Sequence, residues 1–318
     1  MTGHALHERA GAQRTNGRDT AMIGRDAQRV DVPVVGGMLR VHRWGRRGPL
    51  VLAAHGITAS AESFRALGER LAGDVTMLAV DLRGRGGSAG LPGPYGMAAH
   101  ARDLVAVLDH VGARRATAVG HSMGAYVVAQ LAVDFPDRVE RLVYIDGGLP
   151  LRFPQGADPD HMLAAILGPS LERLTRTFPS RQAYHDYWRD HPAFAEPGAW
   201  NRYVESYVDY DLGGDEPRLR SRVSEEAVRA DGRDLVTNER LRTSLGSVKC
   251  PLLLLRAPRG LMNQPEPLLS DELVASYRDV VPQLTDDVIA DTNHITITLG
   301  EHGADALAER IREAVGAR

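Results

Sequence analysis

The sequence predicts an α/β protein: an eight-stranded, mostly parallel sheet with helices on both faces and a helical insertion over it. Three observations predict this. From Arg29 onward short apolar runs alternate with amphipathic stretches, the order of a parallel sheet covered on both sides. Between Asp146 and Pro251 about a hundred residues break that alternation, too many for a plain connection. At 318 residues, 43% hydrophobic and 25% charged, the chain can bury a full core without disulfides or a structural metal.

In chain order the expected strands are RVDVPVV (29–35), MLRVHRW (38–44), PLVLAAH (49–55), VTMLAVD (75–81), ATAVGH (116–121), RLVYID (141–146), PLLLLR (251–256) and DDVIAD (286–291). Among the covering segments, Leu104, Val107, Leu108 and Val111 fall at i, i+3, i+4 and i+7, and Leu307, Ile311 and Val315 recur every four residues, so both read as one-sided helices. The long interval shows no good strand; 158–168, 170–178, 181–191, 199–210 and 223–231 read as helical. It holds 10 of the 17 aromatics, including Phe153, Trp188 and Tyr207, some expected to pack the insertion down and others to face a cavity. The expected division is a flexible tail over 1–28, a core over 29–147 and 248–318, and a helical cap over 148–247.

Charge and composition exclude several function classes. A net charge of −3 supplies no basic field for nucleic acid, and no run approaches the roughly 18 apolar residues of a membrane span. The partner expected is a small molecule; oligomeric state is not legible. The first 28 residues lack the unbroken apolar core of a secretory signal, which makes cytoplasm the expected location. The single cysteine, Cys250 in VKCPLLLL, reads as a structural thiol at a buried strand entry. No Walker loop, paired His–Glu metal motif or CxxC occurs, so neither a metal nor a cofactor is expected. The glycine-rich DLRGRGGSAG (81–90) lacks the dinucleotide spacing and reads as a turn in which Asp81 and Ser88 make local hydrogen bonds.

One motif carries chemistry. Residues 116–124 read ATAVGHSMG, a G-x-S-x-G with Gly120, Ser122 and Gly124 between an expected strand and an expected helix. A sharp strand-to-helix turn holds such a serine in a strained conformation, and glycine at the flanks leaves room for neighbouring backbone. The hydroxyl is thereby lifted to the carboxyl end of the sheet, facing the positive end of the following helix.

A serine hydroxyl needs a base. Of the 12 histidines, His294 in VIADTNHITI follows the last strand on a turn-like loop and is the choice; His55 and His121 read as supporting or packing residues. His161, His185 and His191 lie in the insertion, where they could face the cavity. The base in turn needs an acid. Asp146, which closes RLVYID before two glycines and lies 24 residues after Ser122, is preferred, with Glu266 or Asp271 or no acid at all left open, because the loop after PLLLLR carries Asn263 where an acid is looked for. Two backbone amides are placed to hold a developing oxyanion: Met123, directly after the serine, and Ile57 in the loop AAHGITAS.

On HGIT (55–58), DLRGRG (81–86), GHSMG (120–124), YIDGG (144–148) and NHITI (293–297), the chain from about residue 30 resembles the α/β-hydrolase superfamily, in a cap-bearing branch. The resemblance implies Ser122 as nucleophile, His294 as base and the Ile57 and Met123 amides as oxyanion donors. Haloalkane dehalogenases in that superfamily carry the acid after the sixth strand, where Asp146 stands. A serine at position 122 disfavours dehalogenase and epoxide hydrolase chemistry, which use aspartate there. The expected activity is therefore hydrolysis of a small apolar carboxylic ester through an acyl-enzyme. A phthalate-monoester-like substrate paired with Arg189 or Arg202 is one specific form of it. The alternatives are a lactonase, a thioesterase or a carbon–carbon bond hydrolase on the same residues, a non-catalytic ligand-binding receptor, and an interaction scaffold without a cavity.

Overall fold

A computed structural model describes residues 27–151, 156 and 158–316. Residues 1–26, most of the expected tail, and Phe153 lie outside the described residues; strand pairing begins at Gln28, inside the stretch expected to be tail.

Eight strands form one sheet: β1 (Gln28–Val34), β2 (Gly37–Trp44), β3 (Leu50–Ala54), β4 (Thr76–Val80), β5 (Ala116–His121), β6 (Val139–Ile145), β9 (Leu252–Arg256) and β10 (Leu284–Val288), in the order β1-β2-β4-β3-β5-β6-β9-β10. β2 runs antiparallel to β1 and β4; every other neighbouring pair is parallel. The chain passes from β3 to β4 on one side and then returns to lay β5 on the other. The crevice beyond the carboxyl ends of β3 and β5 is therefore the topological switch point, where open α/β sheets receive ligands.

The period of two along each strand divides the core. Leu52, Leu78, Ala118, Leu142 and Leu254 pack on one face with α2 (Met97–His110) and α3 (Met123–Asp134), while Val51, Met77, Val119, Val143 and Leu255 pack on the other with α1 (Arg65–Leu71) and α12 (Glu301–Val315). Near-continuous apolar strands are what burial on both faces requires.

Between β6 and β9 stand α4 (Pro159–Leu167), α5 (Pro169–Glu172), α6 (Arg181–Arg189), α7 (Arg202–Asp211), α8 (Glu225–Thr237) and α9 (Glu239–Thr243). After β9 come α10 (Asp271–Arg278) and α11 (Thr296–Leu299). The longer insertion helices start on side-chain caps: Ser180 Oγ accepts from Ala183 N–H, Asn201 Oδ1 from Tyr203 and Val204 N–H, and Ser224 Oγ from Ala227 N–H. Phe178, Tyr184, Trp188, Phe194 and Tyr207 form a core of their own that reaches α11 at Leu299. Two expectations for this interval are corrected. It does contain strands, a short antiparallel pair β7 (Leu212–Gly213) and β8 (Arg220–Ser221), whose two-residue length leaves no period to read. The helix expected over 170–178 stops early: a tight turn follows at Arg173–Thr175, and Phe178 bridges to Leu219 in extended form.

Candidate active site

Parallel pairing sends the ends of β3, β5 and β6 to one edge, and each delivers one element of the site. After β5 the chain turns at Ser122 with φ +54° and ψ −120°, a conformation that costs a non-glycine residue about 1–3 kcal/mol. Ser122 N–H donates to Ile145 O at 2.9 Å, which ties the turn to β6. Ser122 occupies the N-cap position of α3, yet its side chain caps nothing, in contrast to the insertion helices, and it lines a cavity instead. The glycines permit this close packing. A Cβ at Gly124 would lie 1.9 Å from Ala54 O, one at Gly120 2.2 Å from Gly124 O, and one at Gly147 2.3 Å from Ser122 O.

After β6, Asp146 is fully buried at φ +45°. Its Oδ2 lies 2.7 Å from His294 Nδ1, and its Oδ1 accepts from Ala257 N–H at 3.2 Å. Glu266 and Asp271, the alternatives, are both exposed, and Asp271 pairs with Arg256 at 2.8 Å. Asn263 instead accepts from Asn293 Nδ2 at 3.1 Å; Asn293 Nδ2 also donates to Ala193 O, and its Oδ1 takes the N–H groups of Ile295 and Thr296. Asn293 thus clamps the loop that presents His294, a role the sequence reading missed although the residue adjoins the base.

His294 lines the same cavity as Ser122; among the described residues its ring makes one hydrogen bond, to Asp146, and none to the serine. His121 Nε2–H donates to His294 O at 2.9 Å, and the two rings stand 4.8 Å apart. Burial, with the neighbouring His294 adding to it, pushes the His121 pKa well below the ordinary histidine value, so it packs as a neutral ring.

The Ile57 loop is held from three sides. His55 accepts from Leu82 N–H at Nε2 (3.0 Å), which places its proton on Nδ1, where it donates to Gly56 O at 2.8 Å. Burial lowers the His55 pKa to about 3, so this tautomer persists at neutral pH. Ala59 N–H adds a second bond to Gly56 O. In a trans peptide the carbonyl and the N–H point opposite ways, so anchoring Gly56 O turns the Ile57 N–H away from these donors. Neither the Ile57 nor the Met123 N–H takes part in a hydrogen bond among the described residues, and both residues line the cavity.

The third support is Arg85, which donates twice to Ile57 O (3.1 and 2.9 Å) and pairs at 2.5 Å with Asp231 of α8. Both are fully buried; Asp231 also meets His100 Nε2 at 3.0 Å and Gly96 N–H at 2.6 Å. In the sequence Arg85 reads only as part of the 81–90 turn. An acid among Ala227, Val228 and Gly232 on the buried stripe of α8 was the signal for Asp231. Asp81 and Ser88 reach further than the local bonds expected: Asp81 also accepts from Ala61 N–H, and Ser88 Oγ from Arg40 N–H.

The cavity has two chambers that share Ile57, Ser122, Leu167, Leu261 and His294. The first, about 800 Å³ with its open mouth, is walled by aliphatic side chains such as Leu163, Ile166, Leu235 and Val236. The second, about 570 Å³ likewise counted with its open mouth, lies against Trp188, Tyr207 and Leu299. The other residues expected near a substrate stand elsewhere. Arg189 pairs with Asp186 and Glu205, Arg202 with Glu69, and His185 with Asp209; His161 is exposed, and His191 caps a turn at Ala193. None of the five lines either chamber. The arginines are drawn off by carboxylates on α6 and α7 for Arg189 and on α1 for Arg202.

Residues 49–214 match the family model described as alpha/beta hydrolase fold. Among curated proteins, an uncharacterized protein of Mycobacterium tuberculosis is 38% identical over 117 residues, 36% of this chain and 33% of that one. The chain thus spans about a third of the length of the first relatives it matches. A putative carbamate hydrolase of Variovorax paradoxus is 30% identical over 218 residues, 66% of this chain and 73% of its own. The crystal structure of E-2-(acetamidomethylene)succinate hydrolase superposes with a TM-score of 0.72 at 23% identity, over 92% of this chain and 100% of that one, a likeness of fold.

Proposed function

The chain belongs to the α/β-hydrolase family, and from that premise we propose that it is a serine hydrolase cleaving carboxylic esters with an aliphatic acyl part. The observation that carries this is the meeting, around one cavity, of a serine at the start of α3 whose side chain makes no capping bond, an imidazole 2.7 Å from a buried carboxylate, and two backbone N–H groups unpaired among the described residues. In this reading Ser122 Oγ attacks the ester carbonyl carbon as its proton passes to His294 Nε2. Asp146 holds the Nδ1–H tautomer and offsets the imidazolium charge, and the Ile57 and Met123 N–H groups take the oxyanion. Collapse breaks the carbon–oxygen bond to the alcohol, which leaves with the proton from His294. Water then repeats the sequence on the acyl-enzyme and releases the acid. The first chamber's hydrocarbon wall favours an alkyl acyl group.

A fluorophosphonate labels the wild-type chain once, at Ser122, and leaves Ser122→Ala unlabelled. A panel of p-nitrophenyl esters of rising chain length, beside lactones, thioesters and carbamates of matched acyl size, then ranks the ester reading. Absence of labelling in the folded wild-type protein would return the cavity to a non-catalytic binding role.

A further inference from the structure

We infer that the second chamber is an alcohol subsite built for a small polyhydroxylated leaving group, so that the substrate is an aliphatic acyl ester of a small polyol. This rests on the serine-hydrolase reading and goes past it in naming the group that departs.

The departing oxygen takes its proton from His294, so the alcohol must lie on the imidazole's side of the serine. The second chamber is walled by the segment that carries that imidazole, through Ile295, Thr298 and Leu299, whereas the first extends along Met123 and Tyr126 of α3. Acyl chain and alcohol are thereby assigned to opposite chambers. Their chemistry differs in the same sense. In the first, the Tyr126 hydroxyl is committed to Leu149 O at 2.6 Å, and the Arg242 guanidinium donates to Val236 O. The remaining wall is hydrocarbon apart from Ser122 and His294.

The second chamber is lined by Thr58, Ser170 and Tyr207, and the hydroxyl of none of the three makes a hydrogen bond among the described residues. Tyr207 is the telling case. Its side chain is 4% exposed and lines the chamber, and its hydroxyl lies within electrostatic reach of the buried Arg173 and Asp211. A buried hydroxyl without a partner costs on the order of a tenfold penalty in stability, and such groups are normally paired by protein, water or ligand. Hydroxyls both donate and accept, and a polyol offers matching groups on adjacent carbons. The Trp188 and Tyr207 rings among the lining residues supply apolar surface for its carbon skeleton.

The test compares kcat/KM for 1-octanoylglycerol and ethyl octanoate, which share an acyl group, in wild type, Tyr207→Phe and Ser170→Ala. The ratio of the two cancels any loss of competent enzyme. Wild type is expected to favour the glyceryl ester by about 10-fold, and each variant to reduce the ratio by about 3- to 10-fold. A wild-type ratio near one, a ratio unmoved in both variants, or faster turnover of octanoyl-N-acetylcysteamine than of the glyceryl ester overturns the inference. Those results leave ester cleavage standing. Failure of the serine-hydrolase reading shows differently, as no turnover of either ester and no fluorophosphonate labelling, and removes the inference with it.

Discussion

Replacing Asp231 by asparagine tests whether α8 holds the Ile57 loop through Arg85. The substitution keeps shape and one acceptor but removes the charge, leaving the fully buried Arg85 uncompensated. Breaking a buried pair from one side costs about 3–5 kcal/mol, which at roughly 2–4 °C per kcal/mol for a domain of this size lowers the thermal midpoint by roughly 6–20 °C. The pH dependence has a definite sign. Burial raises the Asp231 pKa, but His100 and Arg85, with the Gly96 N–H, outweigh it and hold the carboxyl well below the usual carboxylate range. A depressed carboxylate stabilises the fold above its unfolded pKa of about 3.9 and loses that contribution as pH falls below it. The gap in midpoint between wild type and Asp231→Asn is therefore expected to be flat above about pH 5 and to narrow below about pH 4. Because Arg85 carries Ile57 O, kcat should also fall, toward the roughly 100-fold that loss of one oxyanion donor causes. Scanning calorimetry from pH 3 to 8, with kcat on p-nitrophenyl octanoate at a temperature where both proteins are folded, reads both effects. Midpoints within 2 °C and kcat within about twofold would refute the coupling.

Asp146→Asn should lower kcat by about 10⁴-fold without unfolding the protein, since it presents His294 with the wrong tautomer partner; steady-state kinetics beside circular dichroism checks it. Ser122→Gly should be inactive yet more stable than Ser122→Ala by about 1 kcal/mol, because glycine tolerates φ +54° and alanine does not; urea midpoints of the two inactive proteins give the comparison. Gly124→Ala should fail to yield soluble protein or lose more than about 3 kcal/mol, since its Cβ meets the backbone of Ala54; recovery of wild-type stability would refute the packing argument. Cys250, whose thiol is pushed above its ordinary pKa by burial, should react with iodoacetamide at pH 8 more than about 10-fold slower than a free thiol, by mass spectrometry.

The sheet was legible because strands buried on both faces read as apolar runs in fixed alternation with amphipathic helices. Ser122 and the glycines around it were legible because their spacing encodes a steric constraint within one turn of chain. Asp146 and His294 were harder. They lie 148 residues apart and meet only because parallel pairing brings strand ends to one edge, so Asp146 could be ranked but not separated from Glu266 and Asp271. Arg85 and Asp231 escaped because a buried ion pair between a turn and a distant helix leaves no periodicity; each half alone looks like a surface charge. Arg189 and Arg202 show the converse, charges near the expected cavity that nearer carboxylates capture. The β7–β8 pair was invisible because two residues cannot display a strand period.

The most direct measurement is a crystal structure of the chain after reaction with an octyl fluorophosphonate. The account predicts phosphorus bonded to Ser122 Oγ, the phosphoryl oxygen about 2.7–3.1 Å from both the Ile57 and Met123 nitrogens, and the alkyl group among Leu163, Ile166 and Leu235. A phosphoryl oxygen turned away from both nitrogens, or an adduct on a residue other than Ser122, would contradict it.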